Sequence, residues 1–438
     1  MLFLSVFLLS LVATDAEIFP KACITPGNND FPVPCCPMYK GTPCGSGENR
    51  GSCVSTSLSR SVPPPDILND DRKEFPAHYF SSICQCKDNF YGINCGECAD
   101  NRWGDNCENQ RILIRSDLGQ RSETEQQLFL AQLDFCKHEM DPDYYILKAG
   151  DRLRSWTYEF LNASYYDVWC YAHYYTTKSF LINGTETAKI DSGHRSTAFL
   201  TWHRLYLIHL EKRMQRCLKD PTFALAYYDW RSDKHCAMCN NDLLGANDDQ
   251  GNLHPQSVFS EWRIICASYR YSTTYCLMSD CICERPKITR RPGAAVSSGI
   301  PTMEDVDYCL NLPDLDTEPY TTSSRRSARN CFEGFMNRFE LPVLSMHNVF
   351  HIYCGGTMSQ VPISCSDPMF VLHHTMLDKL FEKYILKWGL NKSSYPDNPI
   401  DGHGPYDCIR PFCQCTRNRE MLVPSTTLGF NYSTYNDF

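Results

Sequence analysis

From about Arg111 onward, apolar residues recur along the chain with the period of an α-helix. This periodicity predicts five helices, over residues 123–138, 165–179, 198–218, 346–353 and 368–388. Polar, proline-rich connections separate them, and the longest covers residues 286–329. We interpret this connection as an ordered loop held by Cys309 and Cys331. The pattern predicts a mainly α domain with long, disulfide-tied loops over residues 111–438.

The region before residue 110 has a different composition and is rich in Gly, Pro, Ser and Asn. It contains ten cysteines: Cys23, Cys35, Cys36, Cys44, Cys53, Cys84, Cys86, Cys95, Cys98 and Cys107. A segment of this composition cannot bury enough apolar surface to be stable by its core alone, so it needs covalent cross-links such as disulfides. The spacing C-Q-C-x8-C-x2-C-x8-C from Cys84 resembles an EGF-like module, with a zinc knuckle at Cys95-x2-Cys98 as the alternative. We predict a cysteine-rich EGF-like region over residues 17–110.

Cysteine usage and the first residues indicate the compartment. The chain has 26 cysteines in 438 residues, which is typical of an oxidising environment. Residues 1–16 resemble a signal peptide, although no basic residue precedes the apolar run, which is too short to span a membrane. Four glycosylation sequons begin at Asn162, Asn183, Asn391 and Asn431. We expect the secretory pathway, a soluble mature chain secreted or in an organelle lumen, and no membrane span.

The overall charge excludes one class of partner. The formal net charge is -9, whereas a nucleic-acid binder carries a basic stripe. The remaining composition, 42% hydrophobic and 21% charged, is that of an ordinary globular protein. We therefore expect no nucleic-acid partner.

Two histidines four residues apart begin a possible metal site. His347 and His351 leave the same face of a predicted helix. Further along, Asp367-Pro368 is a helix start, and His373 and His374 follow about two turns later. Because adjacent helical residues point about 100° apart, only one of the doublet can share an ion with the first pair. This arrangement predicts three imidazoles around one metal.

A second group of three histidines lies upstream. His173 is on an aromatic-rich helix, His194 is in a loop, and His203 is inside an amphipathic helix. Each histidine alone is more typical of a hydrogen-bonded core residue, and we interpret six others in that way: His78, His138, His209, His235, His254 and His403. Two groups of the same kind in one chain favour a pair of metal sites.

The ligand chemistry favours copper over zinc. Imidazole sites suit copper, zinc, iron and nickel, and copper(II) binds most tightly among the divalent ions. Three histidines with a water on zinc form a hydrolytic site, but no carboxylate is placed as its general base. Two adjacent three-histidine sites instead suit a copper pair that binds oxygen between the ions.

Three motifs resemble the copper signatures of the tyrosinase family, closest to its animal melanin-forming members: A-F-L-T-W-H-R ending at Arg204, S-M-H-N-V-F-H ending at His351, and D-P-M-F-V-L-H-H ending at His374. The likeness extends over nearly the whole mature chain. It implies a four-helix bundle and two copper ions, one bound by His173, His194 and His203, the other by His347, His351 and His374. It also implies a monophenol monooxygenase that ortho-hydroxylates tyrosine and oxidises DOPA to an o-quinone with O2.

The resemblance further implies roles around the metals. Asn348 and Glu333, with Glu340 as the alternative, would hold the water that accepts the phenol proton. Phe335, Ile352, Val361 and Ser364 would line the pocket for a phenolic substrate. We also predict that an ion pair between Asp378 and Arg204 braces the two ligand helices.

Alternative activities within the same architecture stay open. They are a catechol-only oxidase, a tyrosinase-related zinc isomerase, and an oxygen-binding protein without turnover. Related isomerases typically have Leu at the position of His373, so the doublet favours a true tyrosinase.

Several positions depart from the family pattern or are unexpected, among them Thr201 and Tyr228. Arg195 follows His194 where Glu is common, and its charge could change substrate preference or copper loading. Ser192 replaces a cysteine that some relatives bond to the next histidine, so we expect no such crosslink. Cys170 and Cys354 lie close to ligands, and we expect both in disulfides.

Overall fold

The chain is described by a computed structural model. It describes residues 18–25, 30–56, 75–87, 89–151, 154–177, 180–182, 185–187, 190–265, 285–295, 299–339 and 344–433. The predicted signal peptide, the sequon at Asn183 and the alternative base Glu340 lie outside these residues.

Seven helices lie within the described residues, and five of them correspond to the predicted ones. Their bounds are α1 Glu123–His138, α2 Tyr165–Thr176, α3 Ala198–Leu218, α4 Met303–Leu310, α5 Ala328–Glu333, α6 Met346–Cys354 and α7 Met369–Trp388. The predicted bounds of α1 and α3 are confirmed, and α2 ends three residues earlier than predicted. At the start of α7, the Asp367 carboxylate accepts the Met369 N–H at 2.9 Å, which is the predicted cap.

The described strands are short, apart from one pair. In chain order they are β1 Ile18–Pro20, β2 Val33–Cys35, β3 Met38–Tyr39, β4 Thr42–Pro43, β5 Gly51–Ser55, β6 Phe80–Cys86, β7 Phe90–Tyr91, β8 Glu97–Cys98, β9 Arg102–Trp103, β10 Asn109–Gln110, β11 Leu113–Asp117, β12 Met140–Asp151, β13 Arg154–Ser164, β14 Phe180–Ile182, β15 Thr185–Thr187, β16 Ala226–Tyr227 and β17 Phe430–Tyr432.

The long antiparallel pair β12–β13 was not predicted from the sequence. Residues 140–151 show no regular alternation of apolar and polar side chains, and the pairing contains register shifts. On its other side β12 pairs with β1, with Phe19 opposite Tyr145. The start of the cysteine-rich region is therefore hydrogen-bonded to the helical domain.

Disulfides cross-link the N-terminal region and the long loops. The described pairs are Cys23–Cys35, Cys36–Cys53, Cys44–Cys84, Cys86–Cys95, Cys98–Cys107, Cys136–Cys217, Cys236–Cys239, Cys309–Cys331 and Cys408–Cys415. The zinc-knuckle alternative is wrong, because Cys95 and Cys98 are both oxidised. The expected tie at Cys309 and Cys331 is confirmed.

The expectation of disulfides at Cys170 and Cys354 is wrong, since both are buried thiols. Cys170 on α2 donates to the Cys365 carbonyl at 3.0 Å, and Cys365 donates back to the Cys170 carbonyl at 3.3 Å. These bonds satisfy both thiols inside the core. Burial raises the pKa of Cys170 and of Cys354, which keeps both in the unreactive protonated form.

The helices that carry the predicted ligands pack together. Helix α3 packs against both α2 and α7, and α6 packs against α5 and α7. Every residue of α2 is buried. Among the described residues, no helix is both long enough and apolar enough to cross a membrane.

Candidate metal centre

The first histidine cluster joins two helices and the loop between them. His173 lies on α2, His203 on α3, and His194 on the intervening loop. One ring nitrogen from each lies within 4.8 Å of the other two. All three side chains are buried. The predicted grouping of these three histidines is therefore present in the fold.

Hydrogen bonds indicate which nitrogen carries the proton in two of these rings, those of His194 and His203. His194 Nδ1 lies 3.0 Å from Asp191 Oδ1, and His203 Nδ1 lies 2.8 Å from the Phe199 carbonyl. Because a carboxylate or carbonyl oxygen only accepts, both Nδ1 atoms carry hydrogen and both Nε2 atoms have a lone pair. His203 Nε2 and both ring nitrogens of His173 are buried without a hydrogen-bond partner among the described atoms. A metal ion is the partner that such nitrogens lack.

The second cluster is tighter. His374 Nε2 lies 3.2 Å from His347 Nε2 and 3.2 Å from His351 Nε2. This matches the spacing of about 3.3 Å between nitrogens that each bind one ion at about 2.0 Å in a tetrahedral arrangement. His347 Nδ1 donates to Asn348 Oδ1 at 2.9 Å, and His351 Nδ1 donates to the Met358 carbonyl at 2.6 Å. Their Nε2 lone pairs therefore point into the cluster.

His373 is also close to this cluster, but a hydrogen bond from Trp230 occupies one of its ring nitrogens. A nitrogen of His373 lies within 4.8 Å of those of His347 and His351. Trp230 Nε1 donates to His373 Nδ1 at 3.1 Å, so in the neutral ring the proton is on Nε2. A protonated nitrogen has no lone pair for a metal. His374 is thus the third member favoured by the hydrogen bonding.

The two clusters adjoin each other. The rings of His203 and His374 stack with centroids 4.5 Å apart. Phe370 lies between the clusters, with its centroid 3.9 Å from that of His374 and 4.9 Å from that of His173. Two ions held in these clusters would be neighbours, as in binuclear sites.

Burial favours the neutral form of these imidazoles. It lowers the pKa of His173, His203, His347 and His374, and it lowers the pKa of His351 to about 4. A buried set of neutral nitrogens with converging lone pairs fits a metal cation and not a proton. All-nitrogen donation without thiolate or carboxylate suits copper.

The predicted ion pair between the ligand helices is confirmed. Arg204, next to His203, places Nε 2.6 Å from Asp378 Oδ1, and Asp378 lies one turn after His374. Arg204 also contacts Glu382 at 3.0 Å, and Arg115 contacts Asp378 at 3.3 Å. All these side chains are buried. This network links α3 to α7 immediately behind the histidines.

A cavity of about 200 Å³ opens onto both clusters. All six residues that the resemblance placed around the substrate line it: Glu333, Phe335, Asn348, Ile352, Val361 and Ser364. Sequence reasoning missed Asp191, Phe370 and Trp230. The spacings Asp-x2-His at Asp191 and Phe-x3-His at Phe370 were available signals in the sequence, whereas Trp230 acts through a contact with a distant segment.

Glu333 lies deep in the wall of this cavity. Its carboxylate accepts the Arg195 N–H and pairs with Arg329 Nη1 at 3.0 Å. Burial raises the pKa of Glu333, and Arg329 only partly opposes this. At the next residue, α5 ends in Gly334 with φ of 104°, and a Cβ there would lie 2.0 Å from the Ser345 carbonyl. Glycine therefore allows the end of α5 to approach the start of α6.

These features define a binuclear, all-histidine copper protein. The family model for the common central domain of tyrosinase matches residues 163–387, which include all six clustered histidines. The tyrosinase of Felis catus is 34% identical over 97% of this chain and 83% of its own length. The 5,6-dihydroxyindole-2-carboxylic acid oxidase of Mus musculus is 34% identical over 98% of this chain and 84% of its length.

The chain belongs to the tyrosinase family; it is a copper-dependent oxidase with two copper ions. Among solved structures, a functional unit of octopus hemocyanin is 13% identical with a TM-score of 0.45, covering 74% of this chain and 68% of that chain. The family assignment rests on the family model and the relatives.

Proposed function

We propose that this protein ortho-hydroxylates monophenols such as tyrosine and oxidises o-diphenols such as DOPA to o-quinones with O2, as in melanin biosynthesis. The observation that carries the proposal is that both histidine clusters open into one cavity with an apolar wall. A phenol ring and O2 can therefore meet beside both metals. The tyrosinases of cat and dog, each 34% identical to this chain, support the same activity.

We assign one copper to His173, His194 and His203, and the other to His347, His351 and His374. The bound copper pair supplies the redox chemistry that activates O2 toward the phenol ring. The converging Nε2 lone pairs and the Trp230–His373 hydrogen bond support this ligand set. His373 then acts as a positioning residue that packs between Trp230 and the ligand cluster.

Glu333 is the proposed acceptor of the phenol proton, through a water. A phenol ordinarily loses its proton near pH 10, so oxidation near neutral pH needs a base close to the bound hydroxyl. Glu333 lines the cavity, and burial raises the pKa of its carboxyl. A raised pKa makes the carboxylate a stronger base than one in water.

Asn348 has a second proposed role beside the water. Its Oδ1 is occupied by His347 Nδ1 at 2.9 Å, which leaves the amide NH2 to hold the water between Asn348 and Glu333. The ring of Phe335 and the alkyl groups of Ile352 and Val361 would pack against the substrate ring. Ser364 would contact a polar group of the substrate.

The proposal also covers the architecture of the chain, its division into regions and its cellular compartment. We infer that α2, α3, α6 and α7 act as a four-helix bundle around the metals, since α3 packs on α2 and α7, and α6 packs on α7. We divide the chain into a signal peptide at 1–16, a cysteine-rich EGF-like region at 17–110 and the catalytic domain at 111–438. Nine disulfides among the described residues support passage through the secretory pathway to the outside or an organelle lumen.

A second candidate is oxidation of an acidic o-diphenol without monophenol hydroxylation. The mouse 5,6-dihydroxyindole-2-carboxylic acid oxidase supports it, since its identity to this chain equals that of the cat tyrosinase. The same copper pair would serve both reactions.

A copper assay coupled to kinetics on tyrosine and DOPA tests these functions. We expect about two copper ions per chain and quinone formation from both substrates. Oxidation of DOPA alone would indicate a catechol-only oxidase. Oxygen binding without quinone would indicate an oxygen carrier, and zinc in both sites would indicate an isomerase.

A further inference from the structure

The ring N–H groups of the clustered histidines have unequal hydrogen-bond partners. We call the cluster of His173, His194 and His203 the first site and the cluster of His347, His351 and His374 the second site. Three rings donate from Nδ1 to neutral oxygens at 2.6 to 2.9 Å, those of His203, His347 and His351. The Nδ1 of His194 instead lies 3.0 Å from the carboxylate of Asp191. Within the described part of the chain, no other carboxylate is hydrogen-bonded to these six rings, so the first site has an anionic partner that the second site lacks.

Asp191 is held in place at both its side chain and its backbone. Its Oδ1 accepts the Gly193 N–H at 2.8 Å as well as the ring proton of His194. Its carbonyl accepts His403 Nε2 at 2.7 Å, and His403 Nδ1 accepts the N–H of Ala198, the first residue of α3, at 3.2 Å. Both Asp191 and His403 are buried. The carboxylate is therefore fixed relative to α3, which carries another histidine of the first site.

A carboxylate partner strengthens a histidine ligand more than a neutral oxygen does. Both groups that bond to Asp191 Oδ1 are N–H donors, and an ionised carboxylate is an acceptor only. Its charge strengthens the hydrogen bond to the ring and raises the basicity of Nε2, which keeps the lone pair. Loss of such an outer partner typically lowers metal affinity about 10- to 100-fold. The neutral oxygens of the second site supply hydrogen bonds without this charge.

We propose that Asp191 is a positioning residue that makes the two metal sites unequal, with copper bound more tightly at the first site than at the second. This inference rests on the proposed copper assignment and adds the order in which the ions bind: the first site fills first and empties last. Asp191 acts through the ring of His194. The other acid in the cavity wall, Glu333, pairs with Arg329 at 3.0 Å, so its charge is already offset.

Titration of the oxidised, copper-loaded protein with EDTA tests the inequality. With bound copper measured by atomic absorption, we expect the unmodified protein to release its two ions in two separate steps. Asp191→Asn should shift the later step to about tenfold less EDTA and leave the earlier step in place. An asparagine keeps the oxygen that accepts both hydrogen bonds and removes only the charge, so a purely structural role predicts no shift.

Asn348→Asp is the reciprocal variant, because Asn348 Oδ1 accepts the Nδ1 proton of His347 at 2.9 Å. A carboxylate at this position should shift the earlier step to about tenfold more EDTA. Glu304→Gln, in the exposed pair with Arg338, is the control for the loss of a surface charge and should move neither step. Denaturant unfolding of the copper-free proteins checks that each variant is folded.

Release of both ions in one step from the unmodified protein overturns the inference, and so does a later step that stays in place in Asp191→Asn. Quinone formation from tyrosine and DOPA is measured separately. If quinone forms while Asp191→Asn leaves the later step in place, the inference fails and the proposed function stands. If copper leaves in the expected two steps but no quinone forms, the proposed function fails and the order of copper binding stands.

Discussion

Arg204 and Asp378 form a buried ion pair between α3 and α7, with Nε and Oδ1 2.6 Å apart. Arg204 follows the histidine His203, and Asp378 is four residues after His374. The pair therefore fixes the spacing of the two helices. Each helix places one imidazole beside the proposed metal site, and the centroids of these two rings, His203 and His374, are 4.5 Å apart. Removing Asp378 would leave Arg204 with Glu382 as its remaining buried acidic partner, and a buried charge that loses part of its compensation destabilises the fold.

Asp378→Asn is expected to destabilise the protein by about 3–5 kcal/mol, because Arg204 and Arg115 lose a shared counter-charge. Copper content and activity should fall together. Denaturant unfolding and a copper assay measure the two effects. Glu304→Gln, in the exposed pair with Arg338, is the control and should cost less than about 1 kcal/mol. Unchanged copper content and activity in Asp378→Asn would refute the bracing role.

Separate substitutions of the histidine doublet test the ligand assignment. His374→Ala should lower bound copper from about two ions per chain to about one, since it removes one of three Nε2 ligands. His373→Phe should retain about two, because Trp230 already occupies the lone pair of His373. Copper stoichiometry by atomic absorption measures both. Loss of one ion from His373→Phe, with two kept in His374→Ala, would reverse the assignment.

Glu333→Gln tests the proposed proton acceptor. A glutamine keeps the size of the side chain but cannot take the proton, so we expect kcat for a monophenol to fall at least about 100-fold. Copper content should stay near two ions per chain, because Glu333 binds Arg329 and the Arg195 backbone instead of a metal. Steady-state oxidation of tyrosine, with a parallel copper assay, makes the measurement. An unchanged kcat would show that Glu333 does not accept the phenol proton.

Three buried thiols give a chemical prediction. Cys170, Cys354 and Cys365 should resist alkylation in the native protein and become labelled after denaturation without reductant. Cys136 and Cys217 should stay unlabelled, since they form a disulfide. Peptide mass spectrometry distinguishes the two groups. A cross-linked peptide containing Cys170 and Cys365 would contradict the thiol assignment.

His403 should make stability depend on pH. Its Nε2 donates to the Asp191 carbonyl at 2.7 Å, and burial lowers its pKa to about 4. The unfolded chain binds a proton at this residue below pH ~6.5 but the folded protein only below about 4, so stability falls as pH falls through this window.

Between pH ~7.5 and ~5.5 this histidine should account for about 1 kcal/mol of the loss in unfolding free energy. His403→Gln should show that much less loss in denaturant unfolding at the two pH values. His138→Gln is the matched control, since that ring is exposed. Equal losses in the protein with and without His403 would refute this linkage.

Local pattern was sufficient for the five helices α1, α2, α3, α6 and α7 and for their histidines, but it did not predict α4 and α5. The bounds of α1 and α3 were predicted because each has a long amphipathic repeat. The spacing of His347 and His351 within one helix predicted a shared ligand face. The pair β12–β13 escaped prediction, because strand pairing depends on partners elsewhere in the chain.

The sequence by itself determined the ligand types, their grouping in threes and the family, because these depend on residue identity and helical spacing. Only the tertiary structure shows the hydrogen bond from Trp230 to His373, 143 residues away, which supports the proposed choice of His374 as the ligand. It also decided that Cys170 and Cys354 are thiols and that Arg195 lines the cavity. Contacts between distant segments set proton positions, burial and charge, and these complete the site.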